Sequence, residues 1–289
     1  MIPVADGHTH TNPVRGLGAA AIAERFKAVG GWFMAIVALS PWHYGIEFNG
    51  FESYASTVDI LLRECKAASE AGISVACLAG FHPADVDRLI DKYRMKPLDV
   101  LELGFKVVEY EAKLCSEGQI DGIGEVGRQH YKTFPTRAII SQMILERALE
   151  LAKDYGCIVH MHLEQEGDTT IGLVDIPAKR IGLPNDVKRK IVFHHSKPGT
   201  AVKAYRRGYI ATVPGTPHLL MRVLGRVEPV FILESDHIDD PSRPGAVVYP
   251  WVMAETIQKL YGKREVGEDY LYRINVDLVE KLYGVKYEY

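Results

Sequence analysis

Apolar residues along the chain fall into two alternating patterns. Short runs of strand length recur, and each is followed by a stretch in which apolar positions return every three or four residues, as on one face of a helix. Eight runs read as strands: 2–10 (IPVADGHTH), 32–39 (WFMAIVAL), 73–79 (ISVACLA), 120–125 (IDGIGE), 157–162 (CIVHMH), 190–195 (KIVFHH), 209–213 (YIATV) and 230–236 (VFILESD). The helical stretches between them include AAAIAERFKAVG at 19–30 and ISQMILERALELAKDYG at 140–156, and Gly30 and Gly72 stand where helix C-caps are expected. This alternation predicts a parallel sheet with crossover helices. Most of the runs are apolar throughout, which predicts strands covered by helices on one side and by a packed barrel interior on the other. The expected architecture is α/β, a single (β/α)8 TIM barrel. Two more helical patterns after 249, YPWVMAETIQKLYG and EDYLYRINVDLVEKLYG, supply the last barrel helix and an extra C-terminal one.

Length alone fits one barrel or two modest domains, but 289 residues without a linker, low-complexity tract or charge run favour one domain, 1–289. Charge excludes wholesale coating of nucleic acid or anionic membrane: 34 basic against 37 acidic residues leave a formal −3, so any phosphate must be met by a local site. The N-terminus lacks a basic, apolar leader and no run reaches membrane-spanning length, so a cytoplasmic protein with no membrane partner is expected. Cys65, Cys77, Cys115 and Cys157 are widely spaced with no CxxC pair, and read as buried small hydrophobes rather than as zinc thiolates or disulfides.

In such a barrel the active site forms where the strands end, on their C-terminal side. The ends of five runs carry ligand-type residues: DGHTH, GIGEVG, VHMHLE, FHHS and ESDHIDD. His8 and His10 are two apart, so on a strand they share a face and can reach one cation. Glu125, His162, His195 or its neighbour His194, and Asp236 close four further strands, and together these residues point to a metal site. Three more residues have either a site or a structural reading. His82 in GFHP can hydrogen-bond substrate or cap a loop; Arg128, just after Glu125, can contact a phosphate; and His160 can orient a ligand histidine from one layer deeper. Glu234 shares the parity of Asp236 and can fix a histidine tautomer. His237, Asp239, Asp240 and Arg243 read as surface residues of the loop after the eighth strand.

The ordered set DGHTH, GFHP (80–83), GEVG (124–127), a histidine on the fifth and sixth strands and ESD (234–236) resembles the TatD-related metal-dependent hydrolases of the amidohydrolase superfamily. The resemblance implies two divalent ions in a (β/α)8 barrel and hydrolysis of phosphoester bonds, mostly in DNA. It places His8, His10 and Asp236 around one ion, His162 and His195 around the second, and Glu125 between them. A glutamate at the fourth strand, instead of the carboxylated lysine of many related amidohydrolases, can bridge two cations and help to acidify a shared water whose hydroxide attacks the phosphoester. Asp236 is then the general base and later the general acid. Zinc suits these ligands, and manganese, magnesium or nickel is also compatible.

On the sixth strand His194 and His195 point to opposite faces. His195 is favoured because it leaves Lys190 and Val192 off the inner face, although the family pattern aligns equally on His194. Two departures bear on substrate. An arginine motif usual after the fifth-strand histidine is replaced here by HLEQE, with Glu164 and Glu166, and two carboxylates would repel a phosphodiester. The loop 41–52 (PWHYGIEFNGFE) is long and aromatic, suited to stack a base or to close over a small organic molecule. The expected substrate is a small phosphoester or a nucleic-acid end. The alternatives are a lactonase or amidohydrolase using the same binuclear site on a carbonyl carbon, and a metal-retaining barrel that serves only in binding.

Overall fold

The first apolar run folds as β1 (Val4–Thr9), buried along its whole length, and a Gly turn after α1 (Ala19–Lys27) leads into β2 (Gly31–Val37), equally buried. The order continues with α2 (Phe51–Glu70), β3 (Ser74–Ala79), α3 (Pro83–Asp91), α4 (Pro97–Ser116), β4 (Gly122–Gly127), α5 (Pro135–Tyr155) and β5 (Ile158–His162). The second half adds α6 (Asp168–Arg180), the short α7 (Asn185–Lys188), β6 (Ile191–Phe193), α8 (Pro198–Arg206), β7 (Ile210–Pro214), α9 (Pro217–Val223) and β8 (Ile232–Glu234). Then come α10 (Pro250–Gly262), α11 (Glu268–Tyr272), one π turn over Arg273–Asp277 and α12 (Leu278–Tyr283). This computed structural model describes residues 1–243 and 247–288. No helix among them is long and apolar enough to cross a membrane.

All eight strands are parallel and pair in sequence order, β1 to β8. The last seam, between β8 and β1, is closed by the segment just past β8: Asp236 N–H donates to His8 O (3.0 Å), His10 N–H to His237 O (2.8 Å), and Ser235 N–H to the Asp6 carboxylate (2.8 Å). The result is a (β/α)8 barrel with C-terminal additions, as the strand pattern predicts. Proline opens many of the helices, including α3, α4, α5 and α8, where the missing N–H costs nothing.

Side chains from alternate strand positions fill the barrel: Ala5, Phe33, Ala35, Val37, Leu78, Val192 and Ile232 belong to one buried cluster. That cluster also contains Val276, Leu278, Val279, Leu282 and Tyr283, so the C-terminal helices plug one end of the barrel. Each fully buried Val or Leu there contributes about 1.5–3 kcal/mol. The strand ends that carry the histidines and Glu125 therefore open at the other end. Close approach of β4 to β5 requires glycine: a Cβ on Gly124 would lie 2.8 Å from His160 Cβ, and one on Gly127 would collide with the His162 carbonyl.

The cysteines depart from the sequence expectation. Cys65 of α2 is bonded to Cys77 of β3, and Cys115 of α4 to Cys157 just before β5, with Cα atoms 6.3 and 6.1 Å apart. Spacing along the chain hides both pairs, because each helix runs back against the strand that follows or lies beside it. Burial is as expected for Cys65, Cys77 and Cys157, whereas Cys115 is partly exposed.

Candidate metal centre and active site

Glu125 projects from β4 into the open end of the barrel, almost fully buried, and five imidazoles surround its carboxylate. Oε1 lies 2.8 Å from His8 Nε2, 3.4 Å from His10 Nε2 and 3.3 Å from His194 Nε2. Oε2 lies 2.9 Å from His82 Nε2 and 3.2 Å from His162 Nδ1. Asp236 completes the group, its Oδ1 3.6 Å from His194 Nε2 and 4.0 Å from His10 Nε2.

The far nitrogens of three of these rings are already engaged. His10 Nδ1 is 2.8 Å from the Val37 carbonyl, and a carbonyl only accepts, so that nitrogen carries the proton and Nε2 is a lone pair. His194 Nδ1 meets Glu234 Oε2 at 2.7 Å; an ionised Glu234 accepts the Nδ1 proton and leaves Nε2 as a lone pair, while burial pushes the Glu234 carboxyl toward its protonated form. His8 Nδ1 meets His160 Nδ1 at 2.9 Å. His8 Nε2 and His10 Nε2 are only 3.3 Å apart, beside two carboxylates. His162 Nδ1 is buried and makes no hydrogen bond despite its distance from Glu125. Converging acceptors with few protons between them repel one another unless a cation stands among them, and a histidine that donates its second nitrogen to a carbonyl or carboxylate is the usual arrangement of a metal ligand. The donor set, imidazole nitrogens and carboxylate oxygens, fits a divalent ion.

Electrostatics point the same way. Burial holds His8 (to about 4), His162 and His194 below the ordinary imidazole range, so they stay neutral, the form that ligates, whereas for His10 burial is outweighed by Glu125 and Asp236 and the ring moves up. Burial alone would raise the Glu125 carboxyl, but the surrounding imidazoles, His194 first, hold it well below the usual carboxylate range wherever they carry the proton that faces it. Asp236 moves up, through burial first and then the Glu125 charge.

His82 differs from the others. Its Nδ1 accepts from Ala84 N–H at 3.0 Å, capping α3, so in the neutral ring Nε2 carries the proton and donates it to Glu125 Oε2. One ring thus both caps α3 and lines the cavity beside Glu125. His160, one layer deeper, meets His8, as the sequence parity suggests, and Glu234 meets His194.

On β6 the inward face is opposite to the favoured reading. Val192 packs in the barrel interior and His194 continues that face to Glu125. Regular strand ends at Phe193, and His195 adopts a left-handed backbone with φ of 41°. His195 therefore leaves the face that His194 continues and sits beside His162 and His130, with ring centroids 4.7 and 5.4 Å away, the three imidazoles close enough together to hold an ion of their own. Arg128 also departs from its expected place. Its guanidinium is bound to Glu164 (Nε–Oε2 2.8 Å) and Gln142 (2.7 Å) and does not line the cavity above Glu125. That pairing neutralises Glu164, one of the two carboxylates expected to repel phosphate.

The cavity holds about 420 Å³ and is lined, beyond the ligand-type residues, by Trp42, His43, Arg88, His130, Tyr131 and Arg243. Trp42 and His43 thus bring the aromatic loop to the site, while Tyr44 is buried with its hydroxyl 3.0 Å from Leu39 N–H. Of the loop read as surface, Arg243 is exposed, but His237 and Asp239 are buried. Asp239 accepts from the backbone N–H groups of Asn12, Leu17 and Gly18 and pins the loop after β1. Sequence reasoning missed Arg88 and Tyr283, because an arginine on a helix and a tyrosine in a C-terminal helix carry no local signal of where they point.

The chain resembles known proteins over nearly its whole length. The chain is 30% identical over 295 residues to an uncharacterized protein of Methanocaldococcus jannaschii, covering 99% of this chain and 98% of that one. Among solved structures, a mutant organophosphorus hydrolase from Deinococcus radiodurans superposes with a TM-score of 0.63 at 15% identity, covering 98% of this chain and 93% of that one. The phosphotriesterase homology protein of Escherichia coli, complexed with phosphate in its active site, gives 0.62 at 11% (98% and 99%), and the TatD homolog YjjV of Escherichia coli K12 gives 0.62 at 18% (97% and 98%). These three likenesses show the fold. The family model described as TatD related DNase matches residues 5–284, and the chain belongs to that family of hydrolases.

Proposed function

We propose that this protein is a divalent-metal-dependent phosphoester hydrolase whose substrate is a small phosphoester or the end of a nucleic acid. The observation that carries the reading is the convergence of His8, His10 and His194 Nε2, each with its Nδ1 engaged elsewhere, on Glu125 and Asp236. In this reading His8, His10 and Asp236 would hold one ion and His162 and His194 a second, with Glu125 available to both. Zinc is the favoured metal. Bound divalent ions would supply Lewis-acid activation of water and of the phosphoryl oxygen.

The remaining tasks belong to the chain. Asp236, pushed up in pKa by burial and by Glu125, accepts the proton of the attacking water and returns it to the leaving oxygen. Glu234 and the Val37 carbonyl keep the His194 and His10 rings in the ligating tautomer. His82, through its Nε2–H, orients Glu125 Oε2. A buried floor of imidazoles and carboxylates excludes bulk water from the reacting atoms.

The test is a panel of p-nitrophenyl phosphates, single-stranded DNA, lactones and N-acyl compounds, assayed with Zn²⁺, Mn²⁺ or Mg²⁺ alongside elemental analysis of the purified protein. Metal-dependent cleavage of phosphoesters is expected. Cleavage of the carbonyl substrates alone would reassign the chain as a lactonase or amidohydrolase, and a protein that binds no divalent metal would sink the hydrolase mechanism.

A further inference from the structure

The cavity above Glu125 carries two guanidinium groups that the chemistry just described does not use. Arg88 leaves α3 beyond the His82 cap, and its guanidinium lies over the Trp42 ring, 4.5 Å from the centroid. It is partly buried, and its Nε is shielded from solvent without a hydrogen-bond partner. Arg243, in the segment after β8, lines the same cavity. Other arginines nearby are matched: Arg128 with Glu164, and Arg137 with Asp87 and Asp91. Among the described residues neither Arg88 nor Arg243 forms an ion pair. The carboxylate next to Arg88 in the cavity wall, Asp85, feels the Arg88 charge but makes no ion pair with it, its oxygens being taken up by the hydroxyls of Ser40 (2.6 Å) and Tyr54 (3.0 Å).

A guanidinium withdrawn from water without a counter-charge is costly unless a ligand supplies one. Stacking on an indole fixes its plane and leaves the N–H edge free for a planar or tetrahedral anion, which an arginine grips with two parallel hydrogen bonds. The cavity volume is near the lower end of the roughly 300–1,000 Å³ found for small-molecule sites.

We propose that Arg88, seated on Trp42 and assisted by Arg243, is an anion subsite that binds a phosphate or carboxylate on the non-reacting part of the substrate. The substrate class is then a small phosphoester with a second anionic group. This rests on the phosphoester reading for its reacting end, but the subsite itself requires only the cavity and its two arginines.

Calorimetry on the metal-loaded protein with non-hydrolysable probes tests it. Phenylphosphonate carries the reacting-end mimic only, para-carboxyphenylphosphonate adds a carboxylate, and para-phenylenebisphosphonate adds a phosphonate. The wild type is expected to bind the better of the two bifunctional probes at least tenfold more tightly than phenylphosphonate, and which one wins separates a carboxylate from a phosphate source. Arg88→Gln and, separately, Arg243→Gln should shrink that ratio, Arg88→Gln to near unity, with folding checked by circular dichroism. Equal binding of all three probes by the wild type, or an unchanged ratio in Arg88→Gln, would overturn the subsite. If phenylphosphonate does not bind but benzene dicarboxylates bind and lose affinity in Arg88→Gln, the phosphoester reading fails while the subsite stands.

Discussion

The hydroxyl of Tyr283, carried into the barrel by the last helix, lies 3.0 Å from Nε2 of His160 and 3.1 Å from the carbonyl of Gly7. One hydroxyl has one proton, and a carbonyl can only accept it. With that proton on Gly7, the Tyr283 oxygen accepts from His160 Nε2–H, His160 Nδ1 accepts from His8 Nδ1–H, and His8 Nε2 is left with its lone pair facing Glu125. The helix that plugs one end of the barrel thus sets the tautomer of a ligand-type histidine at the other.

Tyr283→Phe removes the acceptor at the end of this chain. It leaves a buried N–H unpaired, at a cost of about 1–3 kcal/mol, and frees the His8 ring to adopt the other tautomer. Loss of an outer partner of this kind lowers metal affinity by about 10- to 100-fold. Chelator competition should show weaker zinc binding in the variant. A lower Tm with unaltered zinc affinity would mean that Tyr283 only packs.

On the sixth strand the two neighbouring histidines should behave differently. His194 Nε2 lies among Glu125 and Asp236, whereas His195 is turned toward His130 and its Nδ1 lies 3.3 Å from the Gln165 amide nitrogen. Elemental analysis after dialysis is expected to show His194→Ala short of at least one ion relative to wild type, with His195→Ala retaining its full content. The reverse outcome would return the ligand role to His195.

Glu125→Gln keeps the shape of the central side chain but removes the charge that the imidazoles surround. The proposed binuclear centre predicts close to two divalent ions per wild-type chain and the loss of at least one in this variant, because an amide is a poor bridge between two cations. Retention of both ions by Glu125→Gln would rule out the bridging role.

The barrel was legible in the sequence because most of its eight strands are apolar throughout, a pattern that few other arrangements require. His8, His10 and Glu125 were legible because they close strands and the pairing carries them to the same barrel end, even though His10 lies one residue past β1 and the ladder shifts register at Glu125. Strand parity fails at His194 and His195, since β6 stops at Phe193 and the left-handed turn at His195 breaks the alternation. Arg128 misled for a different reason: its partner, Glu164, is 36 residues away and comes beside it only when β4 and β5 pair. The disulfides and Tyr283 share that difficulty. The Tyr283–His160 contact spans 123 residues, and helical periodicity shows that Tyr283 is packed without showing against what.

Glu111 offers a test of the core that is independent of the site. It stands on α4, buried to 2% exposure, with Oε2 unpartnered, and burial, with Asp85 adding to it, pushes its carboxyl well above the ordinary range. The folded protein therefore keeps this proton at pH values where the unfolded chain has released it. The unfolded state binds fewer protons, so the contribution to stability is full below the unfolded value of about 4.3 and is lost as pH rises toward the folded one. Glu111→Gln has nothing to ionise and escapes that loss, whose slope is at most about 1.4 kcal/mol per pH unit. Thermal melts of the two proteins should lie close together near pH 5 and separate by several degrees by pH 8, the variant melting higher. A Tm difference that stays constant from pH 5 to pH 8 would show that Glu111 does not hold its proton in the folded state.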